Sequence, residues 1–227
     1  MGAIISKNGA DTLRELVNRR DIPEKDLSSA EISDLLRLVA NKLHSQGKNL
    51  TIVAVGGAVN TVLLHSRPAT GDVDFFYNTK TQNPDVTAIT QAAQAVAKDQ
   101  KLGDAWLNNH TAVFLHEDTI NALYEEARRQ NRPLFSANGL TVLAAPWRYA
   151  VTTKIDRLMK AGAKSYDLDD AITYLHEIVS APGGSPVPKA SLAAWATEFK
   201  CTPPDADLLK RIADGYQAKY HSPGIAM

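Results

Sequence analysis

The sequence predicts an α/β (α+β) fold: a small mixed sheet flanked by helices and followed by a helical C-terminal segment. Three observations predict it. Amphipathic stretches of helical length alternate with short apolar runs rich in β-branched side chains. One of these runs, Leu50-Thr51-Ile52-Val53-Ala54-Val55, is almost wholly apolar and stops abruptly at Gly56-Gly57, as a buried strand does. After a Pro/Gly/Ser stretch, Ala181 to Pro188, only helical patterns follow.

The elements follow in order. Residues 9–19 and 29–46 read as helices. The second opens at Ser28 or Ser29 with Glu31 close behind, carries Ile32, Leu35, Leu36, Leu38, Val39 and Leu43 on its apolar face, and stops at Gly47. Strand Leu50–Val55 leads through the two glycines into a helical stretch, Ala58 to Leu64. Pro68 and Gly71 make residues 66–71 a loop, and Asp72 to Tyr77 reads as a second strand. A helix over 85–100, a strand over Ala112 to Leu115 and a helix over Thr119 to Arg129 come next. A strand at Leu140 to Leu143 ends at Ala144-Ala145-Pro146. Helices over 147–161, 168–179, 189–199 and 205–219 complete the chain. The domain reading is therefore one unit over 1–180, with N-terminal helices at 9–46 and a core at 50–179, then a linker at 181–188 and a helical segment at 189–227.

Composition narrows the function classes. In 227 residues, 44% hydrophobic, there is enough apolar material for a packed core. Lys plus Arg equals Asp plus Glu, at 25 each, so the total charge does not point to nucleic acid, although a local basic groove can hide in a neutral total. The single cysteine, Cys201, rules out an internal disulfide and a Cys-rich zinc site. No apolar run approaches bilayer length, no long apolar signal region opens the chain, and the expected compartment is cytoplasmic. Met1-Gly2-Ala3-Ile4-Ile5-Ser6 fits the N-myristoylation pattern at Gly2. That pattern is short, and an ordinary start is the preferred reading.

The chemistry concentrates between Val55 and Tyr77: strand, Gly-Gly, helix, then Arg67-x-x-Thr70-x-Asp72-Val73-Asp74 and strand. On an extended segment Asp72 and Asp74 share a face. Two adjacent carboxylates repel unless a cation sits between them, and hard oxygen ligands suit Mg²⁺ or Mn²⁺ with nucleotide phosphates completing the shell. Gly56 and Gly57 leave room for backbone N–H groups to approach a phosphate. Arg67 adds a charged fork and Thr70 a hydroxyl for the same phosphates.

This block resembles the signature of the DNA polymerase beta-like nucleotidyltransferase superfamily. With Arg67 and Thr70 it is most similar to the branch of AbiEii-type toxins and their relatives. The resemblance implies an enzyme that moves a nucleoside monophosphate from an NTP, ATP among the candidates, to an acceptor hydroxyl on RNA, protein or a small molecule. It implies Asp72 and Asp74 as metal ligands, and Gly56, Gly57, Arg67 and Thr70 as nucleotide-binding residues. Further along, Lys154, followed by Asp167-Leu168-Asp169-Asp170, is similar to a looser family motif. There Lys154 would touch phosphates, Asp170 would support the chemistry, and Asp167 or Asp170 would act as the base or orient Lys154. Two departures stand out. Many members carry Ser where this chain has Gly57, and many carry a third carboxylate on a later central strand. None lies within Leu140 to Leu143, and Glu117 and Asp118 fall at a strand end, so the third ligand stays unassigned. A catalytically degenerate nucleotide- or partner-binding module is the alternative.

Plainer readings stand beside these. Asp-x-Asp and Gly-Gly are weak alone, and their order and spacing carry the reading. Lys154 is equally read as a helix-surface partner of Asp156 or Asp170, and Asp167 as a charge favourable at a helix start. His65, His110 and His116 lack zinc-ligand spacing, and Trp106, Trp147 and Trp195 read as packing. No Gly-x4-Gly-Lys-Ser/Thr, Gly-x-Ser-x-Gly or Gly-x-Gly-x-x-Gly occurs, which removes phosphate-loop, nucleophile-elbow and dinucleotide readings.

Overall fold

The computed structural model describes residues 25–79, 83–115 and 117–226. The expected helix over 9–19, Gly2 and His116 lie outside them. The first element is a two-residue strand, β1 (Leu27–Ser28), which pairs antiparallel with β3 (Ala69–Thr70). Helix α1 (Ser29–Ser45) starts where expected. The Ser28 hydroxyl accepts the Glu31 N–H at 3.3 Å, and the Glu31 carboxylate accepts the Ser28 N–H at 2.9 Å, a reciprocal cap.

The apolar run forms β2 (Leu50–Val55). Beyond Gly56-Gly57 the chain makes a π-helical turn, Val59–Leu63, in place of the α-helix expected over 58–64. The Leu64 N–H donates to the Val59 carbonyl at 3.1 Å, five residues back. Asn60 lies on this turn, fully buried. Its amide donates to the Tyr174 hydroxyl at 2.7 Å, and that hydroxyl donates to the Gly56 carbonyl at 2.9 Å, pinning the glycine turn from beneath.

The aspartate strand is β4 (Val73–Phe76), followed by α2 (Pro84–Gln100) and a two-residue strand, β5 (Leu107–Asn108). Residues expected as a strand at 112–115 fall instead in a short helix, α3 (Thr111–Phe114). The cause is local. The Asn108 Oδ1 accepts the His110 N–H at 3.0 Å, and this turn sends the chain into a helix at once. A four-residue apolar run does not distinguish the two states by periodicity. After α4 (Glu117–Gln130) come β6 (Pro133–Ala137) and β7 (Leu140–Ala144). β6 is an edge strand that starts on proline, a placement proline tolerates because it has no N–H to offer a ladder.

Helices α5 (Trp147–Leu158) and α6 (Asp167–Val179) pack on one another. Val187–Pro188 forms β8, which pairs parallel with β9 (Ile225–Ala226) and brackets α7 (Lys189–Glu198) and α8 (Ala206–Tyr220). Leu192, Leu208, Ile212 and Tyr216 from these helices join the same apolar core as Ile172 and Leu175 of α6.

The architecture is thus α/β, with a five-stranded mixed sheet in the order β5-β4-β2-β7-β6 and helices on both faces. β2 runs antiparallel to β4 and parallel to β7. Ile52, Ala54, Val73 and Phe75 face the larger core under α1 and α2. Val53 and Phe76 face a second core with Ile120, Leu123 and Tyr149. Trp106 and Trp147 are buried packing residues. Among the described residues no helix is long and apolar enough to cross a membrane.

Candidate functional site

The alternation of β4 places the acidic pair. Val73 and Phe75 are buried in the larger core, so Asp72 and Asp74, both half-buried, fall on the opposite side with Phe76. In the antiparallel register Asp74 stands opposite Val55, the residue immediately before Gly56-Gly57. In the parallel register its other neighbour is Asn108. The Asn108 carbonyl is taken by the His110 N–H and its amide donates to the Ala105 carbonyl at 3.0 Å, so the amide also turns toward Asp74 as a donor. Burial raises the Asp74 carboxyl above its ordinary range, against the opposing pull of the Asn108 hydrogen bond and the nearby His110 and Arg157.

Thr70 ends β3 and is buried against Gly57. A Cβ on Gly57 would stand 2.1 Å from the Thr70 Oγ1 and 3.6 Å from an Arg67 nitrogen. The departure from the Gly-Ser pattern therefore has a steric reason, since Thr70 already fills the space a serine side chain would enter.

A buried ion network lies on the far side of Arg67. Its guanidinium forks onto Asp170, with Nε to Oδ1 at 2.9 Å. Lys154 reaches Asp170 at 2.8 Å and Asp167 at 2.9 Å. The second Asp167 oxygen accepts the Lys164 N–H at 2.8 Å. Burial pushes the Asp167 carboxyl up, yet the Lys154 and Lys164 hydrogen bonds outweigh it and leave it below its ordinary range. Asp167 and Asp170 sit in the first turn of α6, where the helix dipole also favours them. Arg157, one turn along α5 from Lys154, stands 3.5 Å from Asp167 and is half exposed. Its charge also reaches Asp74, so it links the network to the acidic pair.

A family model matches residues 25–223. The chain belongs to the DUF7582 family, a domain of unknown function. No curated protein and no solved structure matches it.

In this DUF7582 domain the structure brings together Gly57, Arg67 and Thr70 on one side, and Arg67, Lys154, Asp167 and Asp170 on the other, with Arg67 common to both. Gly56 is held through its carbonyl by Tyr174. Asp72 and Asp74 are the residues that could hold a divalent cation. Among the described residues no three His, Cys, Asp or Glu side chains converge as a metal-holding group. Such a donor set suits a cation that takes its remaining ligands from phosphate and water, rather than a closed protein cage. Asn108, Arg157, Tyr166 and Tyr174 are the members that sequence reasoning missed. Asn108 was hidden because β5 is only two residues long, and Arg157 because a charge one turn from Lys154 reads as a solvated helix face.

Burial and the nearby Asp156 push the Cys201 thiol up to about 11, which disfavours the nucleophilic thiolate.

Proposed function

We propose that this DUF7582 domain is a metal-dependent nucleotidyltransferase that moves a nucleoside monophosphate from an NTP to an acceptor hydroxyl. One observation carries the reading. An aspartate pair stands beside a glycine turn next to the central strand, and Arg67, which lies beside that turn, is tied through Asp170 to a buried network with Lys154 and Asp167.

The residues divide the work. Asp72 and Asp74 hold Mg²⁺ or Mn²⁺, whose charge neutralises the phosphate oxygens when it is bound. Thr70, Arg67 and the Gly56-Gly57 backbone face the phosphates. Arg157, the most exposed of the three cations, meets the charge that develops on the leaving pyrophosphate. Lys154 is nearly buried and shared by Asp167 and Asp170, so it supports the phosphate side by fixing Arg67 through Asp170. The acceptor oxygen bonds to the α-phosphorus, the bond from that phosphorus to the oxygen shared with the β-phosphate breaks so that pyrophosphate leaves, and the acceptor's proton passes to water, while Asp167 and Asp170, both buried and paired with Lys154, orient that lysine rather than act as the base.

Asn108 favours a second reading. It is the neighbour of Asp74 on the edge strand β5, and its amide donates to that carboxylate instead of adding a third one. That arrangement suits a degenerate module that binds nucleotide without turning it over. Incubation with each α-labelled NTP, Mg²⁺ or Mn²⁺ and cell extract separates the two. Label in RNA, protein or a small molecule with wild type but not with Asp72→Ala/Asp74→Ala supports the enzyme. Metal-dependent NTP binding without pyrophosphate release supports the module, and absence of both overturns the two readings together.

A further inference from the structure

Tyr166 caps α6 at the edge of the ion network and is 40% exposed, one of two large hydrophobic side chains so exposed among the described residues. The other, Leu38, lies on α1. Single exposed apolar side chains are common, and it is the surroundings of Tyr166 that set it apart. Its ring is unusually well anchored for a surface side chain. The Arg67 guanidinium carbon sits 3.6 Å from the ring centre, in stacking contact, and Lys154 Nζ lies 5.6 Å away. Both cations are tied to the buried Asp170, so they approach the ring as one group. With Arg67 and Lys154 beside its ring, Tyr166 still leaves 40% of its surface to solvent.

We infer that Tyr166 is the platform on which the base of the bound nucleotide stacks. The inference rests on the nucleotide site proposed above and adds what recognises the base there. Arg67 connects the two, because the guanidinium that touches the Tyr166 ring also comes within 3.6 Å of where a Gly57 Cβ would stand, on the side of the turn proposed to hold the phosphates. A ligand with phosphates on Arg67 carries its base within reach of the same arginine's aromatic neighbour. Every base has a π face, so the platform accepts purines and pyrimidines alike and selects a nucleotide over a bare polyphosphate. The ring is already ordered by Arg67, so stacking costs little side-chain entropy.

Calorimetry on the full chain tests this with two probes, ATP and inorganic tripolyphosphate, each with Mg²⁺. The variants are Tyr166→Phe, which keeps the ring, and Tyr166→Leu, which keeps apolar cover over Arg67 without an aromatic face. Thermal unfolding of each variant is measured alongside. Wild type is expected to bind ATP more tightly than tripolyphosphate. Tyr166→Leu is expected to weaken ATP about tenfold and leave tripolyphosphate unchanged, while Tyr166→Phe matches wild type. Equal binding of the two probes by wild type, or an equal loss of both in Tyr166→Leu, overturns the stacking role and leaves the phosphate site standing. Failure of wild type to bind either probe overturns both the platform and the site it rests on.

Discussion

Replacing Lys154 with Met keeps the length of the side chain and removes its charge from between two buried carboxylates. Asp167 and Asp170 are 0% and 1% exposed, so water cannot take over for the ammonium. Breaking a buried pair in this way costs about 3–5 kcal/mol. Here each carboxylate keeps another partner, Arg67 on Asp170 and the Lys164 N–H on Asp167, which puts the cost at the lower end, about 3 kcal/mol. In a domain of this size each kcal/mol moves the midpoint by about 2–4 °C, so Tm is expected to fall by about 6–12 °C. Thermal unfolding at neutral pH and low salt reads it directly. Adding Asp167→Asn removes one stranded charge and keeps an acceptor for Lys164, so the double variant should recover part of the loss. The pH dependence follows from Asp167, whose folded pKa lies below its ordinary 3.8. A depressed carboxylate contributes stability that is present above that value and lost as pH falls through the folded pKa. The gap between wild type and Lys154→Met should therefore close in acid. An unchanged midpoint for Lys154→Met, or a double variant less stable than the single, refutes the claim that this ion network ties α5 to α6.

Two further substitutions probe the acidic pair and the glycine turn. Asp74 has the opposite sign to Asp167, since its folded pKa is raised above 3.8. Folding favours its protonated form, and the stability that this supplies is lost as pH rises through the folded pKa. Asp74→Asn is expected to raise the midpoint of metal-free protein at neutral pH, a gain absent below about pH 3.8, while weakening metal-dependent nucleotide binding. Equal midpoints at neutral pH contradict the burial argument. Gly57→Ala places a Cβ 2.1 Å from the Thr70 Oγ1 and 2.9 Å from its Cβ, an overpacking expected to cost about 1–3 kcal/mol in denaturant unfolding. Thr70→Gly removes both atoms, so in the double variant the Gly57→Ala penalty should largely vanish, and strictly additive losses argue against the clash.

Local rules were enough for some parts of the fold. The capping box at Ser28 and Glu31 announced α1, and the apolar Leu50–Val55 run matched β2 residue for residue. β6, which starts on proline, matched no element expected from sequence, and Asn108 turned an apolar strand-like run into helix. The π turn escaped notice because the residue that settles into it, Asn60, is held by Tyr174, 114 positions away. The candidate site divides the same way. Asp72, Asp74, Gly56, Gly57 and Thr70 are close in sequence and readable as a pattern. The Arg67 pairing with Asp170 spans 103 positions, and the stacking of Arg67 on Tyr166 and the strand pairing of Asn108 with Asp74 exist only after folding. Spacing in a sequence reports which groups can share a face, while tertiary packing decides which of them share a charge.

In the function proposed above, Asp72 and Asp74 join a nucleotide to the protein through a divalent cation. The most direct test is NTP affinity measured with and without Mg²⁺, for wild type and for Asp72→Ala/Asp74→Ala. Mg²⁺ is expected to strengthen NTP binding markedly in wild type and to have no such effect in the double variant. Binding that is the same in both proteins, or no NTP binding by wild type with Mg²⁺ present, would contradict it.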